Sequence, residues 1–288
     1  YFEVLQFQRL ADNWGEDFRF EKERGSERQS LRLTLNCLDP ARLLAERQQA
    51  LHSLTAFSAT LSPPDWTSRA LGLGAEAVFR REASPFAASQ LEVFLATDVD
   101  TRFSQRQQSL PRLAELLLAW LAREPGNCII YFSSYRYLQD CLALLQAQGL
   151  ERLRPCLWVQ QREQEDAGRE QLLQQLETRR DVVALCILGG VFGEGIDLPG
   201  ERLTSVVIVG VGLPQFNRDT RMLQAWYQQR CGAGFEYACL YPGMQKVDQA
   251  LGRVIRASED RGRALLVDSR YGQRQYRELL PPWWNYCA

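Results

Sequence analysis

The chain has 288 residues, a formal net charge of −1 and 45% hydrophobic residues, which suits one large domain or two modest ones with a packed core. A near-neutral balance excludes anion binding by the surface as a whole and leaves it to local clusters. Of the 34 basic residues only Lys22 and Lys246 are lysine; arginine offers planar, bidentate contacts to phosphate or carboxylate, and a coding bias of the genome explains the same preference.

The eight cysteines include no C-x-x-C pair, and His52 is the only histidine, which argues against a zinc or iron–sulfur site built within this chain. Cysteines inside apolar runs such as CIIYF and ALCIL read as buried thiols of a reducing compartment, so a cytoplasmic location is expected. No apolar run approaches the ~18 residues of a membrane span, and no signal peptide opens the chain. It begins at Tyr1 without a methionine and is expected to be a piece of something longer.

In chain order, Asp17 to Arg28 is a charged run expected to form a solvated loop or hairpin, and Leu31 to Leu38 alternates like a strand. Pro40 to Leu51 looks helical, and Leu54 to Thr60 looks strand-like and ends at LSPP, the strongest boundary signal in the chain. Leu113, Leu116, Leu117, Trp120 and Leu121 predict a helix within Gln105 to Glu124, with Pro111 tolerable only if the helix proper begins there. Cys128 to Phe132 predicts a buried strand and Ser134 to Gln148 a helix stopped by Gly149. Strands follow at Cys156 to Gln160, Val182 to Leu188, Thr204 to Val209, Glu236 to Tyr241 and Arg263 to Asp268. Helices are predicted at Gln164 to Thr178, Asn217 to Arg230 and Gln245 to Arg256. Buried strands separated by helices mean an α/β fold with a parallel, doubly wound sheet, whose ligands bind at the carboxyl ends of the strands. The terminal PPWW is expected to pack on the domain surface.

Three stretches could carry chemistry. In QALGRVIR, helical spacing puts Val247, Ala250, Leu251 and Val254 on a core stripe and Gln249, Arg253 and Arg256 nearly opposite. Two adjacent guanidiniums call for an anion between them, or are a solvated basic face paired with Glu259 and Asp260. The run GGVFGEGIDLPG, Gly189 to Gly200, follows a buried strand. Its glycines permit close approach to a ligand, or form an ordinary turn. It is not G-x-G-x-x-G, and Glu194 and Asp197 would repel phosphate directly; they fit acceptance from hydroxyl or N–H donors, or organisation of an arginine. SATLSPP and YFSSY place hydroxyls at the ends of apolar runs, where they suit nucleic-acid phosphates; helix capping by Ser133 or Ser134 explains YFSSY equally. No G-x-x-x-x-G-K-[ST], D-E-x-H or D-E-x-D occurs, so the chain cannot build a triphosphate cradle and magnesium site in the usual way.

Taken together and in this order, SATLSP, YFSSY, GGVFGEGIDLPG and QALGRVIRASEDRG resemble the third to sixth motifs of superfamily-two DNA helicases. They most resemble the DinG/XPD group, the bacterial DinG-like members in particular, over about residues 30 to 270. The resemblance implies a RecA-like fold, a P-loop NTPase-like motor domain without its own P-loop. Residues 1–62 would be the end of the preceding motor or arch region and 63–288 the second RecA-like domain. It implies ATP-dependent DNA unwinding, 5′ to 3′, in DNA repair, on single-stranded or forked DNA and with no membrane partner. ATP would bind against a first RecA-like domain that holds the magnesium ligands, and any iron–sulfur cluster would lie upstream. Carried over by position, Arg253 and Arg256 would be catalytic arginines reaching ATP, with Gln249, Glu194, Gly195 and Asp197 at the nucleotide. Thr60, Ser133, Ser134, Tyr135 and Phe192 would lie near DNA, and Tyr131, Phe132, Tyr135, Phe192 and Phe216 would be candidates for base stacking. Two alternatives remain: a helicase-derived binding module without its own ATPase, and an unrelated α/β enzyme using the Gly189 to Gly200 loop.

Overall fold

The computed structural model describes residues 1–24, 31–162, 165–190, 198 and 200–287. In chain order its elements are α1 (Phe2–Ala11), β1 (Phe18–Arg24), β2 (Leu31–Cys37), α2 (Ala41–Gln48), α3 (Pro64–Ala70), β3 (Leu91–Ala96), α4 (Arg106–Arg123), β4 (Cys128–Phe132), α5 (Tyr135–Ala147), α6 (Leu150–Leu153), β5 (Cys156–Val159), α7 (Glu165–Thr178), β6 (Val182–Ile187), β7 (Ser205–Val209), α8 (Arg218–Cys231), α9 (Tyr241–Leu251), β8 (Gly262–Val267), α10 (Arg274–Arg277) and β9 (Asn285–Cys287). Two compact units result: Tyr1–Arg81 with Gln215–Cys239, and Glu82–Pro214 with Leu240–Ala288. The motif-based division at residue 62 does not coincide with this compact division.

The larger unit is built on a seven-stranded sheet among the described residues, ordered β5-β6-β4-β7-β8-β3-β9, with every pairing parallel. Right-handed crossovers explain its layers: connections stepping one way across a sheet carry helices on one face, and those stepping back carry them on the other. Helices α4 and α5 follow strands that step toward β5 and touch each other, whereas α7 and α9 belong to the return steps and lie on β6 and β7. The period-2 alternation of the strands divides their side chains accordingly. Ile130, Phe132, Val183, Leu185, Val207 and Val209 join one core with Leu113, Leu117, Leu138 and Leu145. Ile129, Tyr131, Ala184, Cys186, Val206 and Ile208, equally buried, point to the other face. The eight cysteines are free; burial pushes Cys128 up to about 11 and Cys141 up to about 12, as expected of inert packing thiols.

Asn127, fully buried at the amino edge of β4, ties this edge together. Its amide donates to the carbonyls of Leu176, Arg179 and Arg202 at 3.2, 2.8 and 2.9 Å, and its carbonyl accepts from Val182 N at 2.9 Å. One side chain thereby satisfies the ends of three connections that would otherwise leave buried polar groups unpaired.

Several expectations are corrected. Glu236 to Tyr241 is not a strand: Glu236–Leu240 forms a π-helical turn leading into α9, because a short apolar run fits a buried helix as well as a strand. The helix expected at Gln245 to Arg256 starts earlier, with Pro242 in its first turn, and stops at Leu251. Helix α4 begins at Arg106 and keeps Pro111 inside. Leu54 to Thr60 is irregular and ends in a turn at Ala59 and Thr60, without a sheet partner among the described residues. Strands β3 and β9 were not expected, and Trp284 of the PPWW run is buried with 8% exposure.

The smaller unit pairs β1 with β2 antiparallel, so the charged run becomes half of a hairpin. Leu38 packs with Trp226 and Tyr227 of α8. Arg218 reaches Glu21 and Glu23 at 3.1 and 3.3 Å, and Arg230 reaches Glu16 at 2.7 Å. Helix α8 is capped by the Asn217 side chain, which accepts from Thr220 N at 2.9 Å.

Candidate functional site

The conspicuous arginines sit where α9 turns into β8. The helix stops at Leu251 with Gly252 as its cap, whose N–H still bonds to Asp248 O at 2.9 Å, and three-residue bonds from Arg253 N to Ala250 O and from Val254 N to Leu251 O close the turn at 3.3 and 3.2 Å. The predicted stripe of Val247, Ala250, Leu251 and Val254 is buried. The opposite face is not shared as expected. Arg253 is buried, at 5% exposure, while Gln249 and Arg256 are exposed. The helix stops before either arginine, so extrapolating its 3.6-residue period misplaced them. The Arg253 guanidinium lies close enough to Tyr131 to oppose the rise that burial imposes on that phenol.

A buried carboxylate fixes the following loop. Asp260, at 5% exposure, accepts from Arg256 N at 2.7 Å, Ala257 N at 2.8 Å and Gly200 N at 3.0 Å. Gln90, just before β3, donates to the carbonyls of Ala257, Ser258 and Asp260 at 3.3, 3.1 and 2.9 Å. The Arg256 backbone is therefore held from both sides. Gln90 precedes β3 and Asp260 precedes β8, so this loop lies at the amino edge of the parallel sheet. These arginines therefore do not stand at the carboxyl edge, where ligands were expected, because α9 runs antiparallel to the strands and delivers its end to the other side.

Phe192, Glu194, Gly195 and Asp197 lie outside the described residues. Both flanks of that stretch are described. Gly189 has φ +77, a left-handed conformation that favours glycine, and the flexible Lys246 side chain passes over it, its carbons 2.9 and 3.0 Å from where a Cβ would stand. At the other flank, Gly200 is tied to Asp260. One carboxylate thus links the end of the glycine-rich run to the arginine loop.

A second cluster occupies the carboxyl edge. Ser134 caps α5 by accepting from Tyr137 N at 3.3 Å. Arg106 donates to Ser133 Oγ at 2.7 Å, Ser134 Oγ at 3.4 Å and Thr101 O at 3.0 Å, and lies over the Tyr137 ring. Burial, aided by the charge of Arg270, lowers its pKa. Thr101 Oγ1 donates to Asp268, which is fully buried and paired with Arg270 by two bonds of 2.8 Å. Tyr135 Oη accepts from Gln160 Nε2 at 3.0 Å, and Gln160 Oε1 accepts from Ile187 N at 2.8 Å. The capping and phosphate readings of YFSSY are compatible: Ser134 caps, and both serines face Arg106.

Burial raises the Asp268 carboxyl, but the bonds and charge of Arg270 and the Thr101 hydroxyl outweigh it and leave its pKa below the ordinary 3.8. A depressed folded pKa contributes stability that is present above the unfolded value and lost as pH falls through the folded one. The Tm gap between wild type and Asp268→Asn is therefore expected to be widest near neutrality and to close as pH falls below about 4. Parallel Tm–pH curves would contradict this assignment.

Tyr131 and Phe132 are fully buried and cannot stack on bases; as members of a central strand they build the two cores instead. Thr60 and Phe216 belong to the smaller unit. Thr60 N donates to Ser58 Oγ at 3.2 Å, and Phe216 is 71% exposed. Sequence reasoning missed Arg106, Gln90 and Gln160, and treated Asp260 only as a surface salt-bridge partner. Gln160 reaches Tyr135 across 25 positions of chain, Arg106 reaches Ser133 across 27, Asp260 reaches Gly200 across 60 and Gln90 reaches Asp260 across 170, so no local spacing announces these contacts.

The family model for helicase C-terminal domains matches residues 117–287. The chain is 25% identical over 265 residues to the general transcription and DNA repair factor IIH helicase subunit XPD of Dictyostelium discoideum, covering 86% of this chain and 34% of the relative. It is 29% identical over 211 residues to regulator of telomere elongation helicase 1 of Mus musculus, covering 66% of this chain and 17% of the relative. A solved apo XPD structure superposes with a TM-score of 0.70 at 18% identity, covering 99% of this chain and 56% of that one. The chain thus spans about a third or less of the length of these curated relatives.

Proposed function

This chain belongs to the helicase C-terminal domain family, and on that premise we propose that it is the second motor domain of an ATP-dependent DNA helicase of the DinG/XPD group, bacterial DinG-like and moving 5′ to 3′ on single-stranded or forked DNA. The observation that carries this reading is the arginine loop: Arg256 exposed on a backbone pinned by buried Asp260 and Gln90, with Arg253 packed behind it. Arginines supplied across an interface stabilise charge developing on a transferred phosphoryl group. Pinning fixes their direction before the nucleotide arrives and limits the reorganisation needed in the reaction.

The phosphate cradle would come from a first RecA-like domain outside these 288 residues. Magnesium would be held there too; among the described residues no three His, Cys, Asp or Glu side chains cluster as a metal site. Gln249 and the loop bearing Glu194, Gly195 and Asp197 would face the same nucleotide. Residues 1–62 would be the end of that first motor region. Closure of two domains on ATP and their release after hydrolysis would convert chemistry into relative motion. At the opposite edge, Ser133, Ser134 and Tyr135 would meet the DNA backbone, with Thr60 contributing from the first motor region. DNA repair is the process served. No helix among the described residues is long and apolar enough to cross a membrane, and cytoplasmic DNA is the proposed setting.

The test is ATP hydrolysis with and without single-stranded DNA, on this chain and on the full-length protein. The chain alone should show no turnover and at most weak DNA binding, and the full-length protein should show DNA-stimulated turnover. Robust DNA-stimulated turnover by the chain alone would overturn the two-domain site. Absence of turnover by the full-length protein would favour a binding module derived from a helicase.

A further inference from the structure

The turn between β3 and α4 holds an aromatic residue that neither the packing nor the motifs use. Phe103 is 80% exposed. A single exposed apolar residue is ordinary by itself, but this one is mounted on a rigid support. Arg102 N donates to Asp100 Oδ1 at 2.9 Å, Gln105 N to Arg102 O at 2.8 Å, and Ser109 Oγ to Asp100 O at 2.7 Å. Thr101, next in the turn, is 2% exposed and anchored on fully buried Asp268. The ring lies 5.9 Å from the Arg106 guanidinium, which in turn grips Ser133 and Ser134. Both serine oxygens accept from Arg106, and a hydroxyl that accepts retains its own proton for donation.

An exposed ring, a guanidinium and two hydroxyls that keep a proton to donate, at the N-terminus of the 13-residue helix α5, match the needs of a single-stranded nucleotide. Its base requires a π-face, and its phosphate requires hydroxyl, N–H and cationic donors. Holding the aromatic residue rigid before binding reduces the ordering cost of the complex.

We propose that Phe103, Arg106, Ser133 and Ser134 form one nucleotide subsite for single-stranded DNA, in which a base stacks on Phe103 and the adjoining phosphate is met by the Ser133 and Ser134 hydroxyls. Arg106 is a positioning residue, orienting both hydroxyls, and adds its charge. This rests on the helicase reading and deepens it: of the stacking candidates expected beside the serines, Tyr131 and Phe132 are fully buried, whereas Phe103 is exposed next to the arginine that holds both hydroxyls.

The experiment measures binding of oligo(dT) and of an abasic oligonucleotide by the full-length protein, by fluorescence anisotropy. Phe103→Ala is expected to weaken oligo(dT) binding by about tenfold, to leave abasic binding unchanged, and to be rescued by Phe103→Trp. Arg106→Lys, which keeps charge but cannot hold both hydroxyls, should weaken both ligands. Equal oligo(dT) affinity of wild type and Phe103→Ala overturns the subsite while leaving the helicase reading intact. Failure of the wild type to bind oligo(dT) overturns both. The ring is so exposed that its removal does not threaten the fold.

Discussion

Replacing Arg256 by alanine in the full-length protein is expected to lower ATP hydrolysis by about 10³–10⁵-fold, the range for removal of an arginine supplied across an interface, while single-strand binding stays largely intact. The selectivity follows from where the residue sits. Its side chain is exposed, so truncation leaves no cavity. Its backbone N–H remains bonded to Asp260 at 2.7 Å whatever side chain it carries. The cluster of Ser133, Ser134 and Arg106, proposed to meet DNA, occupies the opposite edge of the sheet. Arg253→Ala should behave differently. At 5% exposure that side chain also fills space, so its loss should reduce stability as well as turnover. DNA-stimulated turnover by Arg256→Ala at the wild-type rate would remove the residue from the reaction.

The second large effect is expected at Asp260. Alanine there strips the acceptor from three backbone N–H groups, those of Arg256, Ala257 and Gly200. Hydrogen bonds to a charged acceptor contribute about 1.5–3 kcal/mol each, and buried donors left unpaired add their desolvation cost. With partial relaxation of the loop, a net loss of about 2–4 kcal/mol is reasonable, which corresponds to a fall in Tm of roughly 5–15 °C. Turnover should fall by about 10²-fold even where the protein is folded, because a misplacement of about 1 Å has that consequence for a positioned group. Asp260→Asn keeps one carbonyl oxygen as acceptor and should fall between wild type and alanine in both measurements. A variant Asp260→Ala with wild-type Tm and turnover would show that the loop is held by Gln90 alone.

Much of the architecture was legible before the structure. The strands at Cys128, Cys156, Val182, Thr204 and Arg263 are continuous apolar runs between helical repeats, and such runs are stable only when covered on both faces. Their observed pairing is parallel throughout. The missed strands have physical reasons. β9 has only three residues, and β3 lies at Leu91–Ala96, separated from α3 by an irregular stretch that carries neither a helical nor a strand period to mark an alternation. The failure at Glu236 to Tyr241 is of another kind: a run of aromatic and small apolar residues carries no period, so burial alone cannot distinguish strand from helix.

The candidate site divides in the same way. The residue types and order of QALGRVIR and YFSSY were available in the sequence, as was the buried stripe from Val247 to Val254, because a helix repeats its geometry every few residues. The direction of Arg253 and Arg256 was not, since it depends on where the helix stops and on a carboxylate and an amide that arrive from other parts of the chain. The pairing of Arg106 with Ser133 and Ser134, and the rigid turn that presents Phe103, were equally hidden. The sequence by itself determined which short-range patterns exist and hence the sheet, the helices and the motif chemistry. Only the tertiary structure decided which of those groups are buried, which are pinned, and that arginines and serines stand at opposite edges of one sheet. Parallel crossovers return the chain across the sheet between strands, so residues distant in sequence become neighbours and neighbours in sequence are sent to different sides.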